Sequence, residues 1–212
     1  MTLKQRAKRI VSLLEEVYPD AECSLDADEP WKLLFSAILA AQCTDARVNV
    51  VVVELYRAFP TLSDIAAAPV AELERLVYST GFYSVKARNI KACAQILITQ
   101  YGGGLPDTMD GLLALPGVGR KIANLILGDV FGQPAIVADT HCIRLANRFG
   151  LCETTDPLKV ERALLPLIPP ERSNGFCHRC VDHGRAVCTA RGPRCGECGL
   201  AGVCAKAGVK QA

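Results

Sequence analysis

Apolar residues recur along the chain at the three- and four-residue spacing of an α-helix. The first such segment places Ile10, Leu13, Leu14 and Val17 on one face of a charged helix. Strict alternation of apolar and polar residues, which is typical of a half-buried strand, is essentially absent. The pattern therefore predicts an all-α chain of short helices.

Residues that start and stop helices divide the first part of this pattern. A second helix is predicted from Pro30, because proline suits the first helical turn. A third follows Thr44, a good N-cap residue, and ends at Pro60. A fourth carries Leu73 and ends at Gly81, and no helix is predicted between the third and the fourth.

The same signals continue along the second half of the chain. Ser84 is predicted to cap a fifth helix, and a short helix then leads into a glycine hairpin at residues 115–121. After an extended apolar stretch at residues 135–138, Asp139 lies at the start of another helix. Asp156, followed by Pro157, is the predicted cap of a later helix. The short intervals between these predicted helices indicate tight connecting loops.

Composition restricts the class of protein. Half of the 212 residues are apolar, as in globular chains, and no segment reaches the eighteen or so apolar residues that a membrane span needs. Residues 1–9 are charged and are not followed by the apolar core of a signal peptide, so we expect a cytoplasmic protein. The eleven cysteines then indicate thiolate ligation and burial rather than disulfides.

Charge alone does not indicate a partner, because the net charge is only +2. Its distribution is uneven: residues 175–212 hold six Lys or Arg against two acids.

The hairpin Leu115-Pro116-Gly117-Val118-Gly119-Arg120-Lys121 is suited to holding a phosphate. Gly117 and Gly119 let backbone N–H groups approach an anion, and the following helix adds the positive end of its dipole. Arg120 and Lys121 occupy a first turn, where cations are disfavoured, so their presence indicates a function. Nearby positive charge and partial burial would free the Lys121 amine as a nucleophile, whereas a solvated Lys121 would only contact phosphate.

Four cysteines form a C-x6-C-x2-C-x5-C loop with little apolar content of its own: Cys188, Cys195, Cys198 and Cys204. Such a loop needs a metal to fold, and four thiolates suit either tetrahedral zinc or an iron–sulfur cluster. The spacing favours iron–sulfur, because only one pair has the short separation of a zinc knuckle. Arg191 and Arg194 lie between the first two cysteines, either facing phosphate or merely solvated.

The remaining polar and cysteine residues have simpler interpretations. Asp139 either caps its helix or acts as a catalytic carboxylate, and His141 next to it is more typical of a structural histidine. Cys177 and Cys180 form a separate C-x2-C pair that could ligate a metal, but they are predicted to be structural. Five further cysteines are interpreted as small apolar residues: Cys23, Cys43, Cys93, Cys142 and Cys152.

Over almost its whole length the chain resembles the endonuclease III family of helix-hairpin-helix DNA glycosylases. The motifs that carry the resemblance occur in family order: Ala41-Gln42-Cys43-Thr44-Asp45, Gly81-Phe82-Tyr83-Ser84-Val85-Lys86-Ala87, Leu115 to Lys121, Ala138-Asp139-Thr140-His141, His183-Gly184-Arg185 and the four-cysteine loop.

The resemblance implies two helical lobes with a DNA-binding cleft between them. Residues 22–134 would form a six-helix barrel with the helix-hairpin-helix, and residues 1–21 and 135–212 a second helical lobe with the cysteine loop 188–204. It also implies that the four cysteines of that loop hold a mainly structural [4Fe–4S] cluster. The expected partner is double-stranded DNA with damaged bases or abasic sites, bound by a monomer associated with the nucleoid and not with a membrane.

Residue roles follow from the same resemblance. Lys121 would attack C1′ of the damaged nucleotide, and Asp139 would assist departure of the base. Gln42 and Phe82 would fill the gap left by the extruded base, although a phenylalanine in this setting is often part of a core. The hairpin residues Gly117, Gly119 and Arg120, together with His141, Arg191 and Arg194, would contact DNA.

The expected function is that of a bifunctional DNA glycosylase and AP lyase, which excises damaged bases, oxidised pyrimidines in particular, in base excision repair. An imine formed by Lys121 would acidify the C2′ proton and so allow β-elimination. Two alternatives are a monofunctional adenine glycosylase of the same superfamily, which lacks the lysine nucleophile, and a non-catalytic, metal-containing DNA-binding protein.

Overall fold

A computed structural model describes residues 1–209 of the chain. These residues contain eleven α-helices and three short 3-10 helices, and no strand, which confirms the all-α prediction. The last three residues of the predicted second lobe, 210–212, lie outside the described residues. The helices are α1 Leu3–Val17, α2 Pro30–Leu39, α3 Asp45–Ala58, α4 Leu62–Ala67, α5 Val70–Val77, α6 Tyr83–Tyr101, α7 Met109–Leu113, α8 Arg120–Asp129, α9 Thr140–Arg148, α10 Pro157–Leu164 and α11 Ser173–Ala186.

The chain divides into two compact units, Cys23–Val130 and Met1–Glu22 with Phe131–Ala212. The unit Cys23–Val130 contains α2 to α8. Its core is built from the apolar faces of these helices, with Phe35, Leu55, Ile65 and Ile90 fully buried. Each fully buried side chain of this size contributes about 1.5–3 kcal/mol to the stability of the folded state. This unit therefore has a hydrophobic core of its own.

In the other unit, α1 packs against α11, and α11 packs against α9. Ile10, Leu14, Phe149 and Phe176 are buried in its core. Gly184 on α11 allows α9 to approach closely, because a Cβ there would lie 2.5 Å from the Nδ1 atom of His141. The glycine of the His183-Gly184-Arg185 motif therefore serves helix packing.

Most helix starts agree with the sequence signals, and two predictions were wrong. The predicted caps Thr44 and Asp156 accept hydrogen bonds from backbone N–H groups at the starts of α3 and α10. Ser84 does not cap α6; its hydroxyl donates to Glu74 Oε1 at 2.6 Å, and Phe82 holds the N-cap position without a side-chain bond. The six-residue helix α4 was not predicted, although Thr61 and Asp64 form a capping box there.

Across residues 1–209, no α-helix combines the length and the apolar character that a membrane crossing requires.

Candidate functional site

The glycine hairpin adopts a backbone that leaves the start of α8 open. Gly117 has φ of +80°, and a Cβ on it would lie 2.8 Å from Asn89 Nδ2, so a larger residue would be both strained and crowded. Gly119 is the N-cap of α8 with φ of −99°, and nothing lies within 4 Å of its would-be Cβ. No side chain forms a cap hydrogen bond at the start of α8, and a helix N-terminus of this kind is suited to binding an anion.

Arg120 and Lys121 occupy the first two positions of α8, as predicted, and both are exposed. The expectation that Lys121 is partly buried was therefore wrong. The amine of Lys121 is therefore accessible from solvent at the start of α8. Behind it, Ala123, Ile126 and Leu127 are buried and hold α8 in the core.

Asp139 is the N-cap of α9, at the end of an extended segment that α11 holds in place. Within that segment the Ala135 N–H donates to Ser173 Oγ at 3.0 Å, and the Val137 N–H donates to Cys177 Sγ at 3.2 Å. Asp139 Oδ1 accepts from the Cys142 N–H at 2.7 Å. One carboxylate oxygen thus serves the cap while the half-buried side chain stays accessible.

His141 is the second residue of α9, and its Nδ1 lies 3.1 Å from Nη2 of Arg144. The same guanidinium nitrogen donates to the Gly184 carbonyl at 3.1 Å. His141 is therefore part of the contact between α9 and α11, and its ring remains half-exposed.

Gln42 and Phe82 are both exposed, and both have a left-handed backbone, with φ of 55° and 49°. Phe82 is 66 % exposed, so it is not a core residue. Residues other than glycine that are held in this sparsely populated backbone conformation are often found at functional sites.

The four cysteines of the 188–204 loop line a single cavity, together with apolar side chains such as Phe149 and Val187. Cys188 is buried and the other three are half-buried. Within the described part of the chain, no three Cys, His, Asp or Glu side chains lie close enough to share one metal ion. Burial raises the pKa of the Cys198 and Cys204 thiols, so a cationic group would be needed to hold them as thiolates.

Two arginines of α9 hold the start of this loop, and the sequence patterns did not single them out. Arg148 Nη1 donates to Cys188 Sγ at 3.2 Å and to the Thr189 carbonyl at 2.8 Å. Arg144 donates to the Cys188 carbonyl through both Nε and Nη2. Their spacing of four residues on one helix face was the available signal.

His183 was also missed as a neighbour of the loop. It is 1 % exposed, its Nδ1 lies 3.0 Å from the Tyr18 hydroxyl and its Nε2 lies 3.5 Å from Cys198 Sγ. Burial lowers the pKa of His183, which favours a neutral ring that can donate to the sulfur.

The two arginines of the loop differ. Arg194 pairs with Glu197 at 3.4 Å and also donates to the Ala186 carbonyl, so it stabilises the loop itself. Arg191 is exposed at the loop tip. Cys177 and Cys180 are buried on α11, in keeping with their interpretation as structural cysteines.

Comparison with known proteins gives consistent matches. Residues 35–170 match the model of the HhH-GPD superfamily base excision DNA repair protein. The chain is 45 % identical over 205 residues to endonuclease III of Synechocystis sp., covering 96 % of this chain and 94 % of the relative. It is 41 % identical to endonuclease III of Bacillus subtilis, covering 89 % and 87 %. The solved structure of a trapped endonuclease III–DNA covalent intermediate superposes with a TM-score of 0.89 at 40 % identity, covering 97 % of each chain.

Proposed function

The chain belongs to the endonuclease III family, and we propose that Lys121 and Asp139 perform the reaction of that family on damaged DNA. As a member it is a DNA N-glycosylase with AP lyase activity in base excision repair. The observation that carries the residue assignment is the exposed amine of Lys121 in the first turn of a helix that no side chain caps.

Lys121 is the nucleophile in this proposal. Its neutral amine forms a bond to C1′ while the bond from C1′ to the base breaks, and the base leaves with the electron pair and takes up a proton. The nitrogen then loses a proton, the C1′–O4′ bond breaks as O4′ takes up a proton, and the nitrogen lone pair forms the C=N bond of an imine, which acidifies the C2′ proton. Removal of that proton expels the 3′ phosphate, so one lysine accounts for excision and strand cleavage.

Asp139 stabilises the positive charge that develops on the sugar as the base departs. The hydrogen bond from the Cys142 N–H fixes the orientation of this carboxyl group at the N-terminus of α9. His141 is proposed to support this position from within α9 and to contact the DNA backbone. A carboxylate near the sugar can also move the proton that the departing base requires.

Phosphate groups are proposed to bind at the start of α8 and at the cysteine loop. Backbone N–H groups of the Gly117–Gly119 hairpin and of the first turn of α8 donate to one phosphate, and Arg120 places a positive charge beside it. Arg191 is placed at an exposed tip where it can contact the backbone, and Arg194 acts in support through the loop that it stabilises.

Gln42 and Phe82 are proposed to fill the gap in the duplex once the damaged base is extruded. Extrusion costs a few kcal/mol, least at a damaged pair. An exposed phenyl ring can replace the lost stacking, and an amide can bond to the orphaned base.

The four cysteines Cys188, Cys195, Cys198 and Cys204 fit a [4Fe–4S] cluster, which when bound would cross-link the loop through four iron–thiolate bonds. The four cysteines line one cavity, which supports their binding a single metal group together. The protein as purified without oxygen should absorb in the visible range and contain about four irons per chain; a colourless, zinc-containing protein would contradict this assignment.

Lys121 distinguishes this enzyme from two alternatives. An adenine glycosylase of the same superfamily lacks the lysine nucleophile. A non-catalytic DNA-binding protein would explain the hairpin and the cysteines but neither Lys121 nor Asp139. We further propose that the enzyme acts as a monomer on nucleoid DNA in the cytoplasm, and that its substrates are oxidised pyrimidines and abasic sites. A mass measurement in solution that gives a dimer would contradict the monomer.

Borohydride trapping tests the assignment directly. The wild type is incubated with duplex DNA carrying one thymine glycol or one abasic site, and the reduced imine is detected as a covalent adduct. Lys121→Gln should form no adduct while it retains DNA binding and visible absorbance. An adduct of undiminished yield in that variant would move the nucleophile to another residue, and no adduct with folded wild type would contradict the lyase mechanism.

A further inference from the structure

Lys86 is a buried lysine whose ammonium group joins the ends of two helices. Its side chain lies in the first turn of α6, and the residue is only 4 % exposed. Nζ donates to the Leu39 carbonyl and to the Thr80 carbonyl, both at 2.8 Å. Leu39 is the last residue of α2, and Thr80 is the last residue of the 3-10 helix Tyr78–Thr80. Such terminal carbonyls lack a partner within their own helix, so one cation satisfies both.

Each of these helix ends is followed, two or three residues later, by an exposed residue with a left-handed backbone. Gln42 follows α2 and Phe82 follows the 3-10 helix, with φ of 55° and 49°. Within residues 1–209, three residues other than glycine have positive φ, and these are two of them. A conformation of this kind persists only when the surrounding structure enforces it.

Lys86 contributes to that enforcement at the base of each loop, together with backbone hydrogen bonds. Besides the bond from its side chain to Thr80, its backbone N–H donates to the Phe82 carbonyl at 3.1 Å, so Lys86 holds residues before and at the strained position. On the other side, the Cys43 N–H donates to the Ala40 carbonyl at 3.0 Å and closes a turn around Gln42. The two acceptor carbonyls share one ammonium, so Lys86 links the bases of the two loops to each other.

A charge at this position is costly if it only fills space. Burial lowers the pKa of Lys86, which records the loss of hydration of its ammonium group, and an apolar side chain of similar length would avoid this loss. A lysine is suited to this position because its ammonium donates hydrogen bonds to two helix-end carbonyls, and each carbonyl lies at the start of one of the two loops.

We propose that Lys86 is a positioning residue that holds Gln42 and Phe82 together in the conformation that fills the gap left by an extruded base. The inference rests on the proposed roles of Gln42 and Phe82. Lys86 touches neither the substrate nor the reacting atoms. Its loss should therefore slow the reaction where a gap must be filled and spare it where the DNA is already unpaired.

The test compares two substrates under single-turnover conditions: thymine glycol opposite adenine in a continuous duplex, and the same lesion inside a bubble of three mismatched pairs. Lys86→Met should lower the rate on the paired lesion at least tenfold more than the rate in the bubble. Lys91→Met is the matched control, because Lys91 lies on the same helix and also donates to a helix-end carbonyl, that of Ala68. Its ratio of paired to unpaired rates should equal that of the wild type.

Several outcomes would overturn the proposal. Equal losses on both substrates would show that Lys86 only stabilises the fold, and an unchanged ratio would show that the loops do not need it. In the background Gln42→Gly with Phe82→Gly, adding Lys86→Met should change the ratio no further; a full additional loss would contradict the proposal. If Lys86→Met does not fold, Lys86→Gln, whose amide can keep one of the two hydrogen bonds, is judged by the same ratio. Wild type that cleaves neither substrate would instead contradict the proposed function.

Discussion

The starts of α8 and α9 solve the same structural problem in opposite ways. At α9, Asp139 Oδ1 accepts the Cys142 N–H at 2.7 Å, so the helix supplies its own anionic cap. At α8, Gly119 offers no side chain, and the first turn carries the cations Arg120 and Lys121. The first start is capped by the side chain of Asp139, and the second has no side-chain cap and carries two cations.

Energetics show what this difference means. A missing cap costs about 0.5–2 kcal/mol, and a cation in the first turn about 0.3–1 kcal/mol more. Five other helices begin with a side-chain cap, supplied by Thr2, Thr44, Thr61, Thr108 and Asp156. Four helices besides α8, namely α2, α5, α6 and α11, also have no side-chain cap. What sets α8 apart from these four is the pair of cations at its first two positions, Arg120 and Lys121.

The largest expected effect is on the excision rate, when the negative charge of Asp139 is removed and its N-cap hydrogen bond is kept. Asp139→Asn keeps a good N-cap but removes the charge, so excision under single-turnover conditions should fall by about a hundredfold to a thousandfold. The free energy of unfolding should change by less than about 1 kcal/mol, since Asn and Asp cap almost equally well. Quench-flow kinetics and urea unfolding measure the two quantities.

Asp139→Ala is the companion variant. It should lose the same activity and also about 1 kcal/mol of stability, because the cap is gone. Full activity in Asp139→Asn would reduce Asp139 to a structural cap and remove its difference from Asp156.

The second effect concerns the glycine that shapes the α8 hairpin. Gly117→Ala should destabilise the protein by about 1–3 kcal/mol, because alanine resists the left-handed backbone and would crowd Asn89. Gly119→Ala is the matched control, since its backbone and surroundings accept a Cβ. Equal destabilisation of the two variants by urea unfolding would mean that the hairpin geometry is not as described.

Sequence patterns were sufficient where the structure depends on local signals. Helical periodicity and cap residues predicted most helices, and the position of Asp139 followed from an extended stretch ending at a cap. Helix α4 was not predicted because its six residues are fewer than two helical turns, too few to show a repeating apolar pattern. Ser84 was misassigned as a cap because the neighbouring Phe82 adopts a backbone that its residue type does not indicate.

The parts of the site that could not be predicted depend on contacts between distant residues. Lys86 and Leu39 are 47 residues apart, and Arg148 and Cys188 are 40 apart. Each pair forms a hydrogen bond between residues that are distant in the chain and close in the fold. The periodicity of a single sequence carries no information about such pairs. The exposure of Lys121 likewise depends on how α8 sits in the core, which its own composition does not determine.

A smaller effect is expected from giving α8 the cap that it lacks. Gly119→Asp should stabilise the protein by about 0.5 kcal/mol through the cap and the helix dipole. It should also weaken DNA binding about tenfold or more, which is about 1.4 kcal/mol, because a carboxylate then occupies the place of a phosphate. Gly119→Asn separates the causes, since it caps without charge and should weaken binding less. Unchanged DNA affinity in Gly119→Asp, measured by fluorescence anisotropy at fixed salt, would mean that no phosphate binds at this helix start.

The smallest effect is expected at Asp156, which provides an ordinary cap for comparison with Asp139. Its Oδ1 accepts the Lys159 N–H at 2.8 Å, much as Asp139 accepts that of Cys142. Asp156→Ala should cost about 1 kcal/mol of stability and leave excision, strand cleavage and DNA affinity unchanged. Asp156→Asn should restore the stability, because the amide oxygen caps as well as the carboxylate does. A loss of activity in Asp156→Ala at a temperature where the variant is fully folded would show that a cap alone can affect the chemistry, and the case for a separate catalytic role of Asp139 would then rest on its charge.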